Sequence, residues 1–483
     1  MSSTKDVLLK KLVNGESLDF NDKLWLTVLL SVPAIFAQLS TILMNYIDAS
    51  MVGSLGAQAS ASIGLVTSTT WIFLEIAHAI ALGFSVQIAH RIGAKDDFGS
   101  RCVVRRSLLI VVLFGFTLMG ISLYIYKDLP YWLGGHESVI RDAQLYFLVF
   151  AFRIPITLLR YYASGMLRCS GDIKVPSVLN MFMCLLDIVF NFFLIYSVHK
   201  YSVFGTEFSI PAAGLGVYGA AIGTFLADLI VTLMLLYCLL FRSKSLKLCL
   251  DKNQGVSSYI PTKRLLLSAA KIACPVAMLH VLICGAQVTV TYIIAPLGVV
   301  ALAANTFGII IESLCYMPGH GISDAATTIV GQSLGAKRKD MAKSFAWITV
   351  SLGIVVMSLL AVVMYVFCPY FLEMMTPDKG VVELATTVIR LACFAEPFYA
   401  AYIVCFGVFL GACDTFKPAM FNLLTMWGVR IILASFIAPV YGLVGVWIAM
   451  CIELFIRGVI FLVRLHKGSW MNKYRPSETE VIN

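Results

Sequence analysis

Apolar stretches long enough to cross a membrane follow one another along the chain, separated by short polar connectors. They fall at about 24–47, 62–89, 105–126, 144–167, 177–197, 214–241, 265–294, 299–330, 344–368, 383–411, 419–439 and 442–464. A helix rises about 1.5 Å per residue, so roughly 20 residues cross a ~30 Å hydrocarbon core. Inside lipid only helices and closed barrels satisfy the backbone, and runs this long and continuous are not the ten-residue alternating strands of a barrel. The pattern therefore predicts an all-α integral membrane protein of about twelve transmembrane helices. The first run follows a polar segment, is too long for a signal-peptide core and lacks a cleavage site, so it reads as an uncleaved span.

The longest polar connector, Arg242 to Arg264, divides six spans from six. A single shift of 242 residues lays Leu55 and Gly56 on Leu297 and Gly298, and Gly93, Ala94 and Lys95 on Gly335, Ala336 and Lys337. The same shift carries Pro155, Gly165, Asp172, Pro176 and Asn180 onto Pro397, Gly407, Asp414, Pro418 and Asn422, and His78 onto His320. Six is an even number, so the second copy enters the membrane in the same orientation as the first. The expectation is two parallel six-helix repeats about an axis along the membrane normal, an arrangement that leaves a cavity between bundles and belongs, by analogy, to transporters. The predicted organisation is an N-terminal segment 1–23, a six-helix lobe 24–241, a linker 242–264, a second lobe 265–464 and a tail 465–483.

Composition supports this reading: 59% of the 483 residues are hydrophobic and only 13% charged, which a soluble chain of this size would not tolerate. The net charge of +9 sits in short loops rather than in a basic patch, so nucleic acid is not an expected partner. With a cytoplasmic N-terminus, about 26 Lys and Arg lie in loops on that side against about four outside, which places both termini in the cytoplasm. The thirteen cysteines are scattered singly and read as packing residues, and no metal-ligand spacing is present.

No phosphate-binding loop occurs, since the GQSLGAK string at Gly331–Lys337 has the wrong spacing, and no nucleophile elbow or HExxH helix is present. Neither ATP drive nor an enzyme is expected. What stands out instead is a set of ionisable groups inside spans, each costing at least ~2.5 kcal/mol unless paired or hydrated. The acids are Asp48, Glu75, Asp187, Asp228, Glu312, Asp324, Glu396 and Glu453, with Arg153, Arg160, Lys271, Arg390, Arg430 and Arg457 as basic counterparts. Mutual pairing for stability explains such residues without any function.

The repeat separates the two readings. Val290 stands opposite Asp48, Val429 opposite Asp187, Thr70 opposite Glu312 and Ile154 opposite Glu396, so the scaffold does not require these four acids. Asp187 and Asn191 are one helical turn apart and share a face. Near mid-depth a carboxylate is expensive to keep charged, which makes Asp187 a candidate proton carrier. His78, His280 and His320 read as core or loop-facing groups, and Arg430 as a residue making a structural bond.

The strings MNYIDASMVGSLG around Asp48, GDIKVPSVLN, MPGHGISDAATTIVGQSLGAKR, and CDTFKPAMFN followed by WGVR resemble the multidrug and toxic compound extrusion family, over roughly residues 20 to 465. The resemblance implies two lobes in a V and drug efflux driven by inward protons or sodium, with no other cofactor. In prokaryotic members an aspartate matching Asp48 works with an Asn and an Asp one turn apart on the fifth helix. Here that pair is reversed, as Asp187 then Asn191, which implies a cation site at Asp48, Asp187 and Asn191, with Na+ at the two acids as one possibility. A further acid used by another branch in the seventh helix is replaced by Ile283, leaving Glu312 as the nearest acidic candidate, and Cys413 replaces an expected glycine.

The chain thus reads as a monomeric antiporter of the cell membrane exporting small cationic or amphipathic compounds, with Glu312 and Glu396 as substrate-binding candidates. The alternatives are a lipid-linked oligosaccharide flippase of the same superfamily, in which Arg153, Arg160, Arg390 and Arg430 would bind pyrophosphate, and an intramembrane enzyme.

Overall fold

The computed structural model describes residues 4–203, 206–247 and 262–473. Most of the expected linker 242–264 and the end of the expected tail 465–483 lie outside the described residues. A short helix, Thr4–Asn14, buries Leu8 and Leu12 and precedes the first span. The spans are α1 (Phe20–Gly53), α2 (Ala57–Gly93), α3 (Asp97–Ile125), α4 (Glu137–Cys169), α5 (Lys174–Ile195), α6 (Gly216–Tyr237), α7 (Lys263–Ile294), α8 (Val299–Gly335) and α9 (Lys339–Met375). Most extend past the apolar runs because their polar ends continue the helix beyond the hydrocarbon region.

The remaining three spans are where the backbone departs from a simple rod. α10 is built of two segments, Lys379–Cys393 and Glu396–Gly411, bent by 59°. The break falls where Pro397, lacking an amide donor, opens the second segment. Its repeat twin Pro155 sits inside the continuous α4, so proline alone does not force the bend. The last apolar stretch, Phe416–Lys467, is 52 residues long. Straight, it would run ~78 Å, more than twice the hydrocarbon thickness. It reverses at Gly442, whose φ of 58° and ψ of −141° lie outside the helical region, giving α11 (416–441) and α12 (443–467). Gly445 then lets the returning limb lie directly against Ile437. With α11 and α12 counted separately, the described residues hold twelve spans.

One feature was not anticipated in the connector between α5 and α6. Strands β1 (Ser197–Val203) and β2 (Thr206–Ala213) form an antiparallel hairpin with Lys200 opposite Ser209 and Tyr201 opposite Phe208. It is an addition between spans and leaves the helical class unchanged.

The repeat is visible in backbone geometry. Gly56 and Gly298 have φ of 113° and 102°, and Lys95 and Lys337 both have φ of 60°. Pro33 and Pro275, also 242 apart, lie inside α1 and α7. Gly171 (φ 93°) is matched by Cys413 (φ 59°), so the cysteine occupies a left-handed position that costs a side-chain-bearing residue about 1–2 kcal/mol. The twelve described cysteines form no disulfide.

The halves meet along α1, α2, α7 and α8. A side-chain carbon at Gly93 would collide with the carbonyl of Gln332, and one at Gly335 with the carbonyl of His90. Those two contacts are repeat images of each other. Gly83 similarly admits the backbone of Ala269, and Gly321 that of Ala34 and Ile35. All four close approaches lie toward the end of the bundle that carries Gly93 and Gly335. At the other end Gly53, Gly56, Gly64 and Gly298 meet nothing, so the glycine-mediated contacts that join the halves are confined to the Gly93 end.

Candidate functional site

Among the described residues, several polar clusters sit inside the spans. The first joins α1 to α5. Asn191 Nδ2 donates to Asp48 Oδ1 at 2.9 Å and to Asp187 Oδ2 at 3.1 Å, and Asp187 and Asn191 are fully buried. The Asp48 and Asp187 carboxyl groups face each other within hydrogen-bonding reach. Asp187 Oδ1 and Asn191 Oδ1 are buried without a hydrogen-bond donor. Gly223 of α6 makes this packing possible, since any side chain there would strike Asn191 Oδ1. Two carboxyl groups this close cannot both be charged without a proton or cation between them. The orphaned carboxylate and amide oxygens are also the donor type that an alkali cation takes in place of water. The residues expected to form a cation site are therefore brought together, with Asn191 bridging the acids and Asp187 one turn deeper.

Behind this cluster, Asp228 of α6 is fully buried between Arg153 Nε at 3.0 Å and Arg160 Nε at 2.6 Å, and it accepts from Thr157 Oγ1. This is the pairing that the bland reading of intramembrane charges anticipated. Arg168 with Asp324 and Arg457 with Glu453 follow the same rule, and Arg390 Nε donates to the Tyr365 carbonyl at 3.2 Å.

The second cluster lies in the other half. A cavity of about 80 Å³ is lined by Glu312, Arg430, Tyr316, Tyr399 and Trp447 among others. Trp447 is oriented by its Nε1 donating to Asn305 Oδ1 at 3.1 Å. Arg430 rides on a π-helical turn, Met426–Ile431, and its Nε is buried without a partner. The structural bond expected for Arg430 is thus not made at Nε: the widened turn presents the guanidinium to the cavity and to Glu312, whose charge it opposes. Glu396, 2% exposed, is the first residue of the second α10 segment, where the helix N-terminus favours an acid. Its Oε2 is unpartnered, and Glu312 is the charged group acting on it. Glu312 lines the cavity; Glu396 stands next to it and does not line it.

The third cluster was missed. His78 and His280 were expected to be core or loop-facing, yet both meet Glu75: His280 Nδ1 lies 2.9 Å from Glu75 Oε2 and His78 Nδ1 3.9 Å from it. The repeat held a usable sign, since the twins of Glu75 and His280 are Met317 and Gln38.

The MatE family profile matches residues 33–193 and again 275–436, so the two matches begin 242 residues apart. A probable multidrug resistance protein NorM of Thermotoga maritima is 24% identical over 449 residues, covering 91% of this chain and 92% of that protein. The multidrug resistance protein MdtK of Yersinia pestis is 23% identical over 451 residues, covering 92% and 94%. A MOP superfamily transporter from Pyrococcus furiosus superposes with a TM-score of 0.85 at 19% identity, covering 96% of this chain and 98% of that one. The outward-facing form of a multidrug resistance MATE family transporter superposes with a TM-score of 0.84, also at 19% identity, covering 95% and 98%. With the profile matching once in each repeat across more than half its length, this chain belongs to the MatE family and is a multi-pass membrane transporter rather than an enzyme.

Proposed function

We propose that the chain is a secondary antiporter that exports small cationic or amphipathic compounds against inward protons or sodium. In this reading the lobes are 24–241 and 265–464, both termini are cytoplasmic, the membrane is the plasma membrane and the unit is a monomer. The observation that carries it is the facing pair Asp48 and Asp187 bridged by Asn191, with two buried oxygens lacking donors. A proton or Na+ taken up there neutralises the pair. If that occupancy and substrate binding disfavour each other by only ~1–3 kcal/mol, affinities exchange by about 5- to 150-fold, and an inward cation expels a drug.

Dye or drug efflux in everted vesicles, with the pH and sodium gradients collapsed separately, tests the coupling and names the ion. Asp48→Asn is expected to reach the membrane at wild-type levels and to lose gradient-driven efflux. Efflux at the wild-type rate from that variant at equal abundance sinks the proposal.

Glu312 places a carboxyl group in an aromatic-lined cavity, with Glu396 as the neighbouring acid that acts on it, an arrangement that suits a cationic substrate. Glu312→Gln is expected to raise the half-saturating concentration of cationic substrates several-fold and to leave neutral ones nearly unchanged, with Glu396→Gln weaker in the same direction. Equal loss for both substrate types, tracking abundance, assigns the acids to structure. For the flippase alternative, Arg153 and Arg160 are held by Asp228 and Arg390 by a carbonyl, whereas Arg430 lines a cavity.

A further inference from the structure

Glu75 and His78 are on α2, and His280 is on α7, so the ion pair at 2.9 Å crosses from one half of the chain to the other. On α2 it stands about two turns above the close approach of Gly83 to the backbone of Ala269. The three side chains keep 28%, 40% and 28% exposure for Glu75, His78 and His280, so water and protons reach them. His320, the repeat twin of His78, is also exposed, and its ring lies 6.1 Å from that of Tyr316.

We propose that Glu75, His78 and His280 form a second proton-binding site, separate from Asp48 and Asp187, whose protonation latches α2 to α7 and so favours the conformer in which the halves are joined at the Gly93 end. It rests on the two-lobe reading and not on which cation drives efflux.

The chemistry follows from the groups present. A neutral imidazole offers Glu75 at most one hydrogen bond; an imidazolium adds full charge opposition to the buried Glu75 Oε2. Histidine is also the side chain whose ordinary titration, near pH 6.5, falls where compartments differ. The charged and titratable neighbours on every packed helix are few. α4 contributes Tyr161, whose ring is 5.2 Å from His78 and is covered by Arg160 at 4.7 Å, with Arg160 itself held by Asp228. α8 contributes His320 and Asp324, the latter paired with Arg168, and α7 adds Cys284. Asp324, the one carboxylate among these neighbours, is already paired with Arg168 and does not replace Glu75.

The fold does not demand the pair. The image of the α2–α7 packing is that of α8 on α1, and there Met317 and Gln38 stand in place of Glu75 and His280, leaving His320 with neither the acid nor the second histidine. Opening the joined end separates α2 from α7 and breaks the pair. Protonation therefore biases the equilibrium between conformers, and acidification favours the joined form.

The test is the distance between spin labels at Leu133 and Met374, in purified full-length protein with its native cysteines replaced, measured without a gradient at pH 5.5 and 7.5. Leu133 follows α3, and Met374 closes α9 with 84% exposure. The ratio of long to short separations is expected to rise about tenfold on acidification, the change one pK unit of differential binding gives. His280→Gln and Glu75→Gln are each expected to flatten that dependence. His280→Lys, permanently charged opposite Glu75, should hold the long separation at both values. Asp48→Asn should lose coupled efflux and keep the pH-dependent distance, which distinguishes failure of the latch from failure of the antiport reading. A pH-independent wild-type distance, or an unchanged pH dependence in His280→Gln, overturns the proposal.

Discussion

Asp187→Asn is expected to lower the initial rate of gradient-driven efflux in reconstituted vesicles by about 5- to 150-fold, the full range that a coupling of ~1–3 kcal/mol spans. The substitution removes one of the two facing carboxyl groups while keeping the shape and the hydrogen-bonding edge toward Asn191 Nδ2. What it takes away is the group that must bind a proton or cation when Asp48 is charged. Thermal stability in detergent should stay near that of the wild type, because no buried opposite charge is left behind.

The double exchange Asp187→Asn with Asn191→Asp is expected to recover part of the rate. Asn191 also touches Asp48, at 2.9 Å, so the moved carboxylate still faces Asp48 from one turn along the same helix face. A single variant that transports normally makes Asp187 a structural acid. A double variant as slow as the single one means that this protein's own order, acid deep and amide shallow, is required.

Asp228→Asn is expected to do the opposite: a large loss of stability. Asp228 is fully buried and carries two arginines and a threonine, and neutralising it leaves the Arg153 and Arg160 guanidinium groups facing each other with one amide between them. Removing one partner of such a buried network costs about 3–5 kcal/mol, against a few tenths for an exposed pair. The measurement is thermal unfolding of the purified protein together with its abundance in the membrane. Adding Arg160→Gln to Asp228→Asn should restore part of the stability by removing the excess charge. Wild-type unfolding of the single variant would show that the network carries no stability.

The spans and the repeat were legible because both rest on strong, regular causes: lipid demands about 20 apolar residues per crossing, and a duplicated backbone keeps its turns. Gly56 with Gly298 and Lys95 with Lys337 share left-handed geometry because the same turn recurs, and that recurrence survives in the sequence. The twin comparison singled out Asp48 and Asp187 because a valine in the image position is a local fact, while their grouping with Asn191 came from the family resemblance; the structure brings the three together. The contact of His280 with Glu75 was not legible, because it depends on how α7 is rotated against α2, and that rotation is set by packing at Gly83 and Ala269 far along the chain. The bend before Glu396 was hidden for a related reason. The same proline in α4 leaves that helix continuous, so the difference lies in what surrounds it.

The crossing of α2 and α8 has one further consequence. Gly93 meets the carbonyl of Gln332, and Gly335 meets that of His90, so each copy supplies both the recess and the ridge that fills its counterpart. That is an isologous contact, the self-complementary geometry of a twofold homodimer, carried here within a single polypeptide. A six-helix chain holding one such glycine and one such carbonyl would dock onto a second copy of itself with both contacts already matched. Fusing the two genes would preserve that interface and release each half to diverge, as Asp48 has from Val290 and Glu312 from Thr70.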